Sequence, residues 1–158
     1  MAAAVKPLDT VEPVFDLEAA ARLFSQVLPP WVQDLGLVIG KVEGNRPAGA
    51  PGDWQPGALV RLPYARANCG GDGTVCSQAL LALADTTMML ACAIAWDGYR
   101  PMTPIDQTMH FLRPASFDVI ADARVLRISR TTTFGRVTLS GAADRRPLGT
   151  VLTAYALL

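Results

Sequence analysis

The longest apolar stretch of the chain runs from Gly73 to Trp96, GTVCSQALLALADTTMMLACAIAW. From Ser77 onward it predicts one long helix, because alanine, leucine and methionine favour the helix and no glycine or proline interrupts before Gly98. Ser77 is the expected N-cap, with Gly73 giving a tight turn ahead of it. Leu80, Leu81, Leu83, Met88, Met89, Leu90 and Ile94 go round the whole helix instead of forming a stripe, which predicts burial on all sides. The run is too short and too often broken by polar groups to read as a membrane span.

Elsewhere the pattern is shorter in period. Residues 1–15 read as a loose arm ahead of a single domain over 16–158. Asp16 to about Trp31 has Leu17, Ala20, Ala21, Leu23 and Phe24 near helical spacing, with Pro29-Pro30 disrupting it. Strands are expected at Leu37–Glu43, Ala58–Tyr64, Met102–Leu112, Asp118–Ser129, Thr132–Gly141 and Leu148–Leu158. Within Asp118–Ser129, Val119, Ala121, Ala123 and Val125 alternate with Ile120, Asp122, Arg124 and Leu126. Asn45–Gly57 is a loop rich in proline and glycine, in which Trp54 reads as a packing plug. A long buried helix followed by antiparallel strands is an α+β pattern, most simply a curved sheet wrapped round the helix.

Composition narrows the classes. At 158 residues the chain has enough length for one real core. Fourteen basic and fourteen acidic residues balance, which argues against nucleic acid and anionic membrane surfaces as partners. Cys69, Cys76 and Cys92 make an odd number with no disulfide framework, and MAAAVKPLDT lacks an apolar run of signal-peptide length. Both point to the cytoplasm. With His110 as the sole histidine, no metal site is expected.

Asp85 is the only charge between Asp72 and Asp97. Burying an ionised carboxylate costs several kcal/mol unless it is paired or hydrogen-bonded, roughly. Either Thr86, Thr87 or nearby backbone holds it structurally, or it sits in a cleft as a catalytic base or nucleophile.

The segments G-T-V-C-S-Q-A-L-L-A-L-A-D, T-P-I-D-Q-T-M-H-F-L-R-P-A and R-I-S-R together resemble the hotdog-fold acyl-CoA thioesterases of the phenylacetate-degradation and 4-hydroxybenzoyl-CoA type. That family shows G-x-V-H-G-G-A-L-x-x-L-x-D/E, a strand ending F-L-R-P, and a G-R pair on the next strand. The likeness spans about residues 58 to 158. It implies a hotdog fold, acyl-CoA as substrate, no cofactor, and a homodimer or homotetramer with its site shared between copies. It assigns Asp85 to the acidic position and Arg130 to the arginine of the G-R pair, with Ser129 in place of the glycine. Cys76, Ser77 and Gln78 stand where the family has H-G-G, and Asn68 is the nearest match to an upstream asparagine.

The chemistry of a thioester gives these residues roles. Its carbonyl needs an oxyanion donor and either a nucleophile or an activated water. The free amides at the start of the long helix, at Ser77 and Gln78, suit the first task. Asp85 suits the second. Eight residues at 1.5 Å rise separate them by about 12 Å, so both can serve one carbon only if a second, antiparallel copy supplies one of them. Asn68, Cys76 and Arg130 are the candidate substrate-binding residues, Arg130 for the phosphates of coenzyme A, with Arg113, Arg124, Arg127 and Arg136 as weaker matches. Cys76 as nucleophile lacks a placed histidine. His110 reads as a surface or packing imidazole. A hotdog hydratase or dehydratase, and a non-catalytic acyl-CoA-binding protein, are the alternatives.

Overall fold

The structure is a computed structural model and describes residues 15–158. The expected N-terminal arm therefore lies outside the described residues, apart from Phe15. Helix α1 spans Leu17–Val27 and is capped by Asp16, whose carboxylate accepts from the Ala19 amide at 2.8 Å. It ends earlier than the sequence pattern suggests. Leu28 and Pro29 are extended, as residues before a proline tend to be. Pro30 then opens a separate short helix, α2, Pro30–Gln33, at the first-turn position where its missing N–H costs nothing.

Six strands follow: β1 Val38–Glu43, β2 Gly57–Leu62, β3 Met102–Phe111, β4 Val119–Ile128, β5 Thr132–Gly141 and β6 Pro147–Leu157. The long helix α3, Ser77–Ala95, lies between β2 and β3 in the chain. All pairings are antiparallel, in the order β1-β2-β4-β5-β6-β3, so β1 and β3 are the two edges. Register shifts at Ile39/Lys41, Pro104/Asp106 and Val125/Arg127 bend the strands, as bulges do.

The alternation read from the sequence decides which face is inside. Val119, Ala121, Ala123 and Val125 of β4 are buried, as are Val137 and Leu139 of β5 and Val151 of β6. They meet α3, whose Leu83, Met88 and Leu90 are fully buried. Each such side chain contributes about 1.5–3 kcal/mol of transfer free energy. Gly135 lets the helix sit close, since a Cβ there would collide with the Met88 side chain. This is a hotdog fold, a curved antiparallel sheet round one long helix.

Two expectations for α3 need correction. Its N-cap is Cys76, not Ser77, and no side chain caps it. Nor is it buried all round. Thirteen of its nineteen residues are buried, but Ser77, Gln78, Leu81, Ala82, Asp85 and the terminal Ala95 remain partly or fully exposed. Ser77, Leu81 and Asp85 recur every four residues, so they form one open stripe along the first two turns. Length and polar interruptions do not rule out a membrane span as the sequence reading expects, since the helix is long and apolar enough to cross one, but its buried share marks it as the core of this domain.

Candidate active site

The segment before α3 sets the direction in which the helix starts. The Cys76 amide donates to the Asn68 carbonyl at 2.9 Å and the Val75 amide to the Ala115 carbonyl at 2.8 Å. Cys69 pairs with Val75 as an isolated bridge. Gly73 turns the chain with φ +79°, in the left-handed region that suits glycine. The first intrahelical bond is Leu80 N–H to Cys76 C=O at 3.2 Å. The amides of Ser77, Gln78 and Ala79 thus precede the helical ladder and have no acceptor among the described residues. Beside them is a cleft of about 390 Å³ lined by Val75, Ser77, Leu80 and the residues of the F-L-R-P motif, Phe111 to Pro114. Apolar walls next to free, partly positive amides suit an acyl group whose carbonyl oxygen gains charge.

Asp85 lies two turns further along the open stripe. Its Oδ1 accepts from the Tyr155 hydroxyl and from Gln107 Nε2, each at 2.5 Å. Gln107 Nε2 also donates to the Tyr155 oxygen at 2.8 Å. Strand pairing explains the meeting. Gln107 on β3 is opposite Thr153 on β6, and Tyr155 is two residues further on the same face. The Thr153 hydroxyl donates to the Asp106 carbonyl at 3.0 Å, fixing the strand just before Gln107. Neither threonine expected to hold Asp85 does so. The Thr87 hydroxyl donates to the Leu83 carbonyl at 2.6 Å, and Thr86 has no bond to the carboxylate among the described residues.

Electrostatics follow from that placement. Burial first, and then the Asp85 charge, push the Tyr155 phenol well above its ordinary value, so it stays protonated and remains a donor. The same two causes, in the same order, push the Cys92 thiol up to about 12. Cys92 is fully buried and inert, a core residue.

The structure sorts the other candidates. Asn68 is brought to the start of α3 through its carbonyl bond to Cys76. Ser77 Oγ donates to Gln78 Oε1 at 3.3 Å, so both side chains sit at the helix start. Arg130 is exposed in the turn between β4 and β5. That turn is bonded to Leu157, at the Met102 end of β3, whereas α3 begins near the Phe111 end. Ten strand residues, about 30 Å, separate those ends, so Arg130 and Ser77 of one chain do not share a site. Arg113 is held by Asp144 at 3.0 Å and by the Arg146 and Pro147 carbonyls. Arg124 is tied to Glu43 and Asp122. Both serve the fold. His110 is exposed and three residues from Gln107, which puts it on the opposite face of β3 from Asp85. Among the described residues no cluster of three His, Cys, Asp or Glu side chains could hold a metal.

The sequence reading does not single out Gln107 and Tyr155. Tyr155 carries a readable signal, because it follows Val151 and Thr153 on the buried parity of β6. Its contact with Asp85 depends on how the helix crosses the sheet.

Comparison with known proteins agrees with this architecture. Residues 73–147 match the thioesterase superfamily. No curated protein sequence matches the chain. Among solved structures, the E. coli PaaI protein from the phenylacetic acid degradation operon superposes with a TM-score of 0.72 at 17% identity, covering 89% of this chain and 91% of that one. A thioesterase family protein from Silicibacter pomeroyi gives 0.72 at 19% identity, covering 89% and 96%. A Pseudomonas aeruginosa protein gives 0.72 at 24%, covering 90% and 98%. At these identities the structures speak for the fold, and the superfamily match falls on the segment that carries α3 and the F-L-R-P strand. The chain thus has a hotdog fold, and its residues 73–147 are similar to the thioesterase superfamily.

Proposed function

We propose that this protein hydrolyses acyl-CoA thioesters in the cytoplasm, at a site shared between two copies of the chain. The observation that carries the proposal is the open stripe of α3. It presents unpaired amides at Ser77, Gln78 and Ala79 at one end and the only carboxylate of the helix, Asp85, at the other. At about 12 Å apart along the axis they cannot serve one carbonyl carbon within one chain. An antiparallel second copy brings the start of one helix to the Asp85 of the other. Edge strand β3 offers the means, since one side of its backbone has no partner strand among the described residues and Ile105, Phe111 and Leu112 are exposed around it. The two-fold also carries the Arg130 turn of one copy towards the helix start of the other, where coenzyme A phosphates would lie.

In this scheme the helix-start amides hold the carbonyl oxygen. Asp85 accepts a proton from water as that water adds to the carbonyl carbon. The C–S bond then breaks, the proton passes to the departing sulfur, and the products are the free acid and the coenzyme A thiol. The cleft beside Leu80 and Phe111 takes the acyl group. No oxidant, reductant or cofactor enters the balance.

A second reading, a non-catalytic acyl-CoA-binding protein, is favoured by one observation: the Ser77 and Gln78 side chains occupy the helix start. The hydratase alternative needs a histidine beside the carboxylate, and His110 faces away. Release of free thiol from a panel of short, aromatic and long acyl-CoAs separates the readings, with light scattering on the same sample. Hydrolysis by a dimer or larger assembly is expected. Tight binding without thiol release would install the binding reading instead.

A further inference from the structure

We propose that Tyr155 and Gln107 are positioning residues for the reaction: they occupy Oδ1 of Asp85 and leave Oδ2 as the oxygen that acts on substrate. The inference rests on the reading of Asp85 as the acting carboxylate, and deepens it.

The count of protons carries the argument. The Gln107 amide has two hydrogens, and its nitrogen has two acceptors within reach, Asp85 Oδ1 at 2.5 Å and the Tyr155 oxygen at 2.8 Å. The Tyr155 hydroxyl has one hydrogen, and it goes to Asp85 Oδ1. Three hydrogens fill three contacts and close a ring. Reversing the amide would set Gln107 Oε1 against a carboxylate oxygen, two acceptors face to face, so the ring has one arrangement. Asp85 Oδ2 takes no hydrogen bond among the described residues. A free carboxylate turns easily about its last torsion, which is broad and nearly two-fold. Two donors on one oxygen remove that freedom. The donors come from separate strands, β6 and β3, packed beside a helix that is itself buried on its other faces. Neither Thr86 nor Thr87 shares the task, so the orientation depends on these two residues alone among the described ones.

The test is steady-state hydrolysis of the best acyl-CoA by Tyr155→Phe, Gln107→Leu, Gln107→Glu and Asp85→Asn, with melting temperature and particle size recorded for each. Asp85→Asn should lose at least about 100-fold in kcat. Tyr155→Phe and Gln107→Leu should each lower kcat by about tenfold or more through misorientation, with KM within about twofold of the parent. Gln107→Glu should be worse than Gln107→Leu, because it sets a second acceptor and charge against Asp85. Should Tyr155→Phe fail to fold, the two variants at the half-buried Gln107 carry the test. Loss of kcat in Asp85→Asn with unchanged kcat in Tyr155→Phe and Gln107→Leu would overturn the positioning role and leave the hydrolase reading standing. A rise in KM at constant kcat would overturn it too, by making these residues substrate contacts. Full turnover in Asp85→Asn, or none in the parent protein, would remove the underlying reading and this inference with it.

Discussion

Tyr155, 70 residues from Asp85 in the chain, donates its hydroxyl hydrogen to the Asp85 carboxylate at 2.5 Å. The contact joins the last strand of the chain to the middle of the buried helix. It also means that the one charge of the helix is held by the sheet and not by the helix's own threonines.

The buried groups around that contact give a dependence of stability on pH. In the unfolded chain the Cys92 thiol loses its proton near its ordinary value of 9.0, and in the fold it keeps the proton to about 12, through burial first and the Asp85 charge second. Between those values the unfolded state binds fewer protons, so stability falls as pH rises, by up to roughly 1.4 kcal/mol per unit. Below pH 9 this contribution is complete and flat. Tyr155 adds a fall of the same sign above its ordinary value of 10.0. Urea unfolding at pH 8, 9 and 10 should show the decline, and Cys92→Ala should flatten its first part. An equal slope in Cys92→Ala would show that other groups govern the alkaline limb.

Gly57 opens β2 opposite Arg124 of β4. A Cβ there would collide with the Ala123 carbonyl oxygen, which is backbone and has nowhere to go. Gly57→Ala should cost about 1–3 kcal/mol, as overpacking does. Thermal unfolding checks it, and a melting temperature equal to the parent's would mean that the strand ends there with more room.

Much of the fold is legible in the chain because its signals are local. The run Ser77–Ala95 with no glycine or proline, and the period-two pattern of Val119 to Val125, each contain their own answer. The misreadings have local causes as well. Pro29 stops one helix and Pro30 starts another, and two adjacent prolines signal only the first event. Ser77 is the better capping residue by type, yet the Asn68–Cys76 backbone bond fixes where the helix begins. The site is half legible. Asp85 stands out as a lone charge in an apolar helix, but Gln107 and Tyr155 reach it only through the β3–β6 register and the crossing of α3 over the sheet. Neither is encoded in any short stretch. Arg130 follows from its motif, and its distance from Ser77 within one chain appears only with the strand order.

At the helix start, Ser77 and Gln78 add side chains where the resembling family keeps bare backbone. Their mutual bond at 3.3 Å leaves the Gln78 amide nitrogen free to donate beside the helix N–H groups. Ser77→Gly and Gln78→Gly, singly and together, should therefore lower kcat. A rise in kcat would mean that the side chains obstruct the carbonyl.

Arg130 is expected to act on the nucleotide part of the substrate. Arg130→Ala should raise KM for an acyl-CoA by about tenfold, the scale of one charge-assisted contact to phosphate. It should leave hydrolysis of a short thioester lacking the nucleotide unchanged. Equal losses on both substrates would place Arg130 in the support of the β4–β5 turn instead.

Asp85→Asn is the most direct test of the central claim, that this helix carboxylate drives thioester hydrolysis. Thiol release from the best acyl-CoA should fall at least about 100-fold, the usual scale for removing a catalytic base, while melting temperature and particle size stay those of the parent. Turnover unchanged by the substitution, in a protein equally folded and equally assembled, would contradict the claim and leave Asp85 a structural carboxylate held by Tyr155 and Gln107.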